Sequence, residues 1–198
     1  MARRRRDWKP NAYYHVVMRG NNRQNIFAND VDMFHFMRSI GHAHSKYEFT
    51  IIAFCIMTNH YHLLLRSKDD LSKIMAFINR KYSDYYSKRY KHVGRIYQRR
   101  YFATMIEDPA SLLIVSRYIH RNPIETKIPL VQQLQNYPFS SFLYYYYPHR
   151  ETPSYLDTHT VVKYLPKSIP ATGASYCQYC MNALEVGHGN DFPGPKLG

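Results

Sequence analysis

Between Phe49 and Arg66 the chain lays two strand-forming stretches back to back, and this pair constrains everything around it. Phe49 to Ile56 is almost continuously apolar, as a strand buried on both faces must be. Thr58-Asn59 supplies a short turn, and His60 to Arg66 returns as its antiparallel neighbour. On either side the pattern changes from strand-like to helix-like. Upstream, Tyr13 to Arg19 reads as a strand, and Gly20-Asn21-Asn22-Arg23-Gln24-Asn25 breaks it with turn formers. Asn29 then caps a helix whose stripe is Met33, Phe36, Met37, Ile40 and Ala43. Downstream, Asp69 or Asp70 opens a second helix through Ile74, Phe77, Ile78, Tyr82 and Tyr85 toward Tyr90. Lys73, Arg80, Lys81, Lys88 and Arg89 form its other face. After Gly94 a strand is expected over Tyr97 to Ile106, and Asp108-Pro109 opens a third helix. It ends at or near Asn122, because Pro123 disfavours helical geometry in the residue before it.

The order β-α-β-β-α-β contains the split βαβ arrangement of an α+β, ferredoxin-like (RRM-like) domain: an antiparallel sheet with helices on one face, followed here by a further helix. The chain divides into a basic arm (1–12), this domain (13–147) and a C-terminal extension (148–198). Tyr137 to Phe142 and Tyr144 to Tyr147 suggest a short capping segment, and Pro148 to Pro170 is loop-rich. A short helix is expected from Ala174 to Leu184, and the Gly- and Pro-rich end from Gly187 to Gly198 is expected to be disordered.

Twenty-seven Lys and Arg against 14 Asp and Glu give a net charge of +13, which favours a polyanionic partner, nucleic acid before an acidic membrane surface. Twenty tyrosines among these cations suit single strands, since bases stack on rings while cations track phosphates. No apolar run is long enough to span a membrane, and the Arg-rich start has no apolar core after it, so neither a membrane helix nor a secretory signal is expected. Cys55, Cys177 and Cys180 form no disulfide framework, and Cys177-Gln-Tyr-Cys180 lacks a second pair for zinc; the usage fits a cytoplasmic protein.

Alternation along the strand puts His60 and His62 on one face while Tyr61, Leu63 and Leu65 take the other. Two imidazoles side by side make half of a divalent-metal site, although a half-buried strand also tolerates histidines on its wet face. The third helix supplies what such a pair lacks. Tyr118 and Asn122 stand four apart, on one helical face. A tyrosine hydroxyl attacks phosphorus once a metal or base helps it ionise, and an amide oxygen completes a set of two imidazoles and one oxygen. The ordinary alternatives are a helix-face aromatic packed on the sheet and a helix C-cap before proline.

Several motifs, in order, resemble the single-tyrosine HUH transposases, most closely their REP-associated tyrosine transposase branch. They are Tyr14-His15-Val16 through Arg19-Gly20-Asn21 with Ile26-Phe27; His60-Tyr61-His62; Gly94-Arg95-Ile96-Tyr97-Gln98-Arg99-Arg100-Tyr101; Tyr118-Ile119-His120-Arg121-Asn122-Pro123; and Tyr137-Pro138-Phe139-Ser140-Ser141. The resemblance implies a metal-dependent enzyme that nicks and transfers single-stranded DNA carrying a hairpin, such as a repetitive extragenic palindrome, as monomer or homodimer. By position His60, His62 and Asn122 would bind Mg²⁺ or Mn²⁺, and Tyr118 would attack, leaving a 5′-phosphotyrosine and a free 3′-hydroxyl. Related insertion-sequence enzymes carry glutamine where this chain has Asn122.

DNA contacts are expected from the arm Arg3, Arg4, Arg5 and Arg6, from Arg19, Asn21, Asn22 and Arg23 at a hairpin foot, and from Arg95, Arg99 and Arg100. Tyr85-Tyr86 would mimic the paired tyrosines of replication initiators, but Tyr82 and Tyr85 fit the apolar stripe and favour core and groove roles. The competing reading is a non-catalytic, domesticated single-stranded nucleic-acid-binding protein on the same fold.

Overall fold

A computed structural model describes residues 8–182. Four strands, β1 (Tyr13–Arg19), β2 (Phe49–Ile56), β3 (His60–Ser67) and β4 (Phe102–Ile106), form one sheet in the order β2-β3-β1-β4. Every neighbouring pair is antiparallel. Helices α1 (Asp30–His44) and α2 (Leu71–Tyr90) lie on one face, and α3 (Pro109–Arg121) lies on the other. Tyr61 marks the first face: it is wholly buried, its ring stands 4.4 Å from that of Phe36 on α1, and its hydroxyl donates to Asn79 Oδ1 on α2 at 2.7 Å. Strand alternation then turns His60 and His62 toward α3.

The helix starts follow from local chemistry. Asn29, Asp70 and Asp108 each accept a hydrogen bond from a first-turn backbone N–H, satisfying one of the donors a helix leaves open there. The strand expected from Tyr97 is shorter than its sequence suggests. Regular pairing begins at Phe102, and Tyr97 makes only a single bridge, to Gly20. Here Asn21 N–H donates to Ile96 O and Gln98 N–H to Arg19 O, so 95–101 is tied to the loop after β1 instead of extending the ladder.

Beyond Pro123 the chain covers the outer edge of β2. Ile56 N–H donates to Phe139 O, Ser141 N–H to Phe54 O, Ile51 N–H to Tyr155 O, and Asp157 N–H to Ile51 O. The Tyr137 and Tyr145 hydroxyls donate to Ile56 O and Ile52 O. An edge that would otherwise template another strand is thereby closed. Two further helices, α4 (Phe142–Tyr146) and α5 (Gly173–Met181), pack beside α3. Cys177 and Cys180 are buried in this core with their thiols pushed up to about 12 by burial, and no cluster of three metal-ligating His, Cys, Asp or Glu occurs among the described residues. No described helix is long and apolar enough to cross a membrane. The Arg3–Arg6 arm and the Gly187–Gly198 end lie outside the described residues.

Candidate functional site

The sheet face under α3 gathers the histidines that the strand register brings together. Arg19 pairs with His60 and Val17 with His62 across β1 and β3, while Cys55 pairs with His62 from β2. His60 and His62 lie with ring centroids 5.0 Å apart, nearly perpendicular. Tyr118 stands edge-on to the His62 ring at 5.5 Å, with an interplanar angle of 90°. Asn122, one turn on, is buried; its Nδ2 donates to Tyr118 O at 2.8 Å, and its amide lies close enough to His60 and to the Tyr118 hydroxyl to shift the titration of both. His60, His62, Tyr118 and Asn122 therefore converge on one face.

Each imidazole has one nitrogen engaged behind the site. Asn59 Nδ2 donates to Arg23 O at 3.2 Å, which turns Asn59 Oδ1 toward His60 Nδ1 at 2.6 Å. That nitrogen donates, and the His60 lone pair is left on Nε2. His62 Nδ1 lies 2.9 Å from His15 Nε2, and the two rings meet end to end, with centroids 5.2 Å apart and planes 22° from parallel. His15 also meets the Tyr118 ring edge-on at 6.0 Å. His15 is a member of this cluster that no local spacing in the sequence ties to His60 and His62. The available signal was a lone imidazole in an otherwise apolar strand, on the alternation phase that carries Arg19.

The electrostatics keep these histidines neutral. Burial, then the Arg19 charge, lowers His60 to about 4 against an opposing hydrogen bond from Asn122. His62 falls well below its usual range through burial first, then His60, His15 and Arg19. Burial alone takes His15 to about 4. Neutral imidazoles are the form that ligates metals. Tyr118 is raised above the ordinary phenol value by burial; Asn122 and Arg19 pull it back down, while Glu125 and Cys55 add to the rise. The Cys55 thiol is itself pushed up by burial and points to Met57 Sδ at 3.5 Å, so it packs the wall. Arg19 Nε is buried with no hydrogen-bond partner.

The competing tyrosines lie elsewhere. Tyr82 donates to Ile26 O, Tyr85 donates to Asp32 Oδ1 at 2.9 Å and stacks on His35, and Tyr86 packs against Tyr90. All belong to the α1–α2 side, across the sheet from the histidine pair. His120 turns away from Tyr118 into the core, bonded to Ser141 Oγ at 2.7 Å and Tyr176 Oη at 2.9 Å.

Of the residues expected to contact DNA, those that the structure describes lie at one end of the sheet. Asn21, Asn22 and Arg23 form an exposed 3-10 turn, joined to Arg19 by Gly20. Asn59 reaches this turn through Arg23 O, and the 95–100 segment accepts from Asn21 N–H at Ile96 O and donates from Gln98 N–H to Arg19 O. Arg95, Arg99 and Arg100 are exposed and line a recess of about 620 Å³ with Ser83, Tyr97 and Gln98.

Residues 9–122, from just ahead of β1 to Asn122, match the family model described as "Transposase IS200 like". A Haemophilus influenzae protein described as a "putative REP-associated tyrosine transposase" is 28% identical over 109 residues, which is 48% of this chain. The match spans 60% of that relative's length. Among solved structures, one titled "Structure of the REP associates tyrosine transposase bound to a REP hairpin" superposes with a TM-score of 0.61 at 19% identity, covering 80% of this chain and 93% of that one. At that identity the likeness is one of fold.

Proposed function

Because the chain belongs to the IS200-like transposase family, we propose that it cuts and rejoins single-stranded DNA beside a hairpin, with Tyr118 as nucleophile. The observation that carries this reading is the packing of Tyr118 against His62 on the face that also holds His60 and Asn122. Hairpin DNA is the proposed partner because the structural relative is titled as bound to a REP hairpin and because the exposed Arg and Asn groups cluster beside the site.

The donor set fits a divalent cation such as Mg²⁺ or Mn²⁺. Both imidazoles are neutral, each is anchored through Nδ1, and Asn122 stands within reach of His60. His60, His62 and Asn122 would hold the ion; bound there, it would polarise a nonbridging oxygen of the scissile phosphate. The protein's own groups do the rest. The Arg19 charge, near enough to act on the Tyr118 hydroxyl, would stabilise the phosphate beside the nucleophile. The Tyr118 oxygen bonds to phosphorus and the bond to the 3′-oxygen breaks. The phenol proton leaves to solvent, and the departing oxygen takes one up as a 3′-hydroxyl. The resulting 5′-phosphotyrosine retains the energy of the broken ester, so a 3′-hydroxyl later displaces tyrosine without ATP.

The test is a labelled hairpin oligonucleotide with a single-stranded flank, incubated with Mn²⁺ and denatured. A covalent protein–DNA adduct is expected, absent in Tyr118→Phe, while hairpin binding by that variant stays within about threefold of wild type. An adduct that persists in Tyr118→Phe would sink the assignment. Hairpin binding with no adduct from the wild-type protein would favour the non-catalytic reading.

A further inference from the structure

The hydrogen-bonded pair of His15 and His62 is a second, buried feature of the site. Nothing in the proposed reaction uses His15, which is 1% exposed on β1. We infer that His15 is a positioning residue: its Nε2 accepts the Nδ1 proton of His62, fixing the tautomer and ring orientation in which His62 Nε2 presents its lone pair to a divalent cation. The inference rests on the functional reading above, since it concerns the same cation.

A distance of 2.9 Å between two imidazole nitrogens requires one proton between them. If His15 donates, His62 Nδ1 accepts and its only proton sits on Nε2, where it blocks ligation. If His62 donates, the lone pair lies on Nε2, on the side away from His15. His60 already has this arrangement, because Asn59 Oδ1 can only accept. The two candidate ligands would then be oriented alike: an acceptor behind Nδ1 and a bare Nε2 in front. Partners of this kind behind a ligating histidine set ring orientation and tautomer. The hydrogen bond, with ring planes only 22° from parallel, and the edge contact of His15 with Tyr118 hold ligand and nucleophile against one side chain.

Three measurements on the full chain at a single neutral pH test this. Long-range ¹⁵N–¹H correlation spectra of the metal-free wild type should show His62 protonated on Nδ1 and His15 on its own Nδ1. Mn²⁺ titration followed by electron paramagnetic resonance should show His15→Leu binding about 10- to 100-fold more weakly than wild type. His15→Gln, whose terminal amide reaches the Nε2 position with an acceptor oxygen, should recover most of that affinity. Hairpin retention without metal should be the same for all three proteins, which controls for folding. If His15→Leu fails to fold, the wild-type spectrum and the Gln variant still decide the question. A His62 proton on Nε2 in a protein that binds Mn²⁺ would overturn this inference alone, as would a folded His15→Leu with wild-type Mn²⁺ affinity. No Mn²⁺ binding by the wild type would instead overturn the functional reading and this inference with it.

Discussion

Asn122 shows how much one side chain is asked to do here. Its Nδ2 returns to Tyr118 O as the helix ends, and the amide lies near His60 and the Tyr118 hydroxyl, shifting the titration of both. It is buried, so the bond to Tyr118 O is not replaced by water when it is removed. Asn122→Ala should lower the cleavage rate about 10- to 100-fold with a parallel loss of Mn²⁺ affinity. The same change should cost only about 1 kcal/mol of stability, because the helix still stops at Pro123. Single-turnover cleavage, Mn²⁺ titration and denaturant unfolding would separate these effects. A large stability loss with unchanged cleavage by the folded fraction would reduce Asn122 to a cap.

Two glycines set the scale of elements. Gly20 joins β1 to the 3-10 turn, and a Cβ there would sit 2.1 Å from Gln24 O and 2.9 Å from Ile26 Cγ2. Its φ of −62° suits any residue, so the constraint is close approach of backbone to backbone. Gly20→Ala must displace the loop carrying Asn21 to Arg23, and a loss of about 1–3 kcal/mol is expected, with weaker hairpin binding. Gly41 in α1 is the opposite case: its added Cβ would meet nothing nearer than Tyr155 Cε1 at 4.0 Å. Gly41→Ala should stabilise by about 0.5–1 kcal/mol through helix propensity, with hairpin affinity unchanged. Chemical denaturation of both variants checks the opposite signs; a stabilised Gly20→Ala would refute the packing argument. The helix that carries Tyr118 is anchored as an element too. Arg117 donates to Tyr179 O and Asn182 O, Arg121 donates to Cys180 O, and His120 bonds Ser141 and Tyr176. Cations at the end of α5 satisfy carbonyls that a helix leaves open, so α3 and α5 fix one another.

For the whole molecule, the buried histidines link stability to pH. His15 and His60 are lowered to about 4 and His120 to about 3, chiefly by burial, and His62 falls well below its usual range. In the unfolded chain all four titrate near 6.5. Between about pH 6.5 and 4 the unfolded state therefore binds protons that the folded state does not, and stability falls as pH falls through that window. It is complete above about 6.5. Each imidazole contributes up to about 1.4 kcal/mol per pH unit within the window. The thermal midpoint should be level near neutrality and drop steeply toward pH 4.5, and a flat profile across that range would contradict the burial of these rings. His120→Leu, remote from the proposed chemistry, should flatten part of the slope.

Much of this architecture could be read from local chemistry. Asn29, Asp70 and Asp108 cap their helices, Phe49–Ile56 is a strand at the expected bounds, and Pro123 follows the end of α3 because these signals act over a few residues. The pairing of His60 with His62, and of Tyr118 with Asn122, is likewise a matter of period two and period four. What depended on the tertiary structure is whatever joins distant segments. His15 meets His62 only because β1 and β3 adopt one register across 47 positions. The strand expected from Tyr97 gave way to hydrogen bonds with the Gly20 loop, a competition no local pattern encodes. The tyrosine-rich stretch after Pro123 had no visible partner until the open edge of β2 required one. Sequence by itself determined the elements and the two halves of the candidate site. Only the fold decided that they face each other, because strand register and helix docking are set by the shared core and not by any one segment.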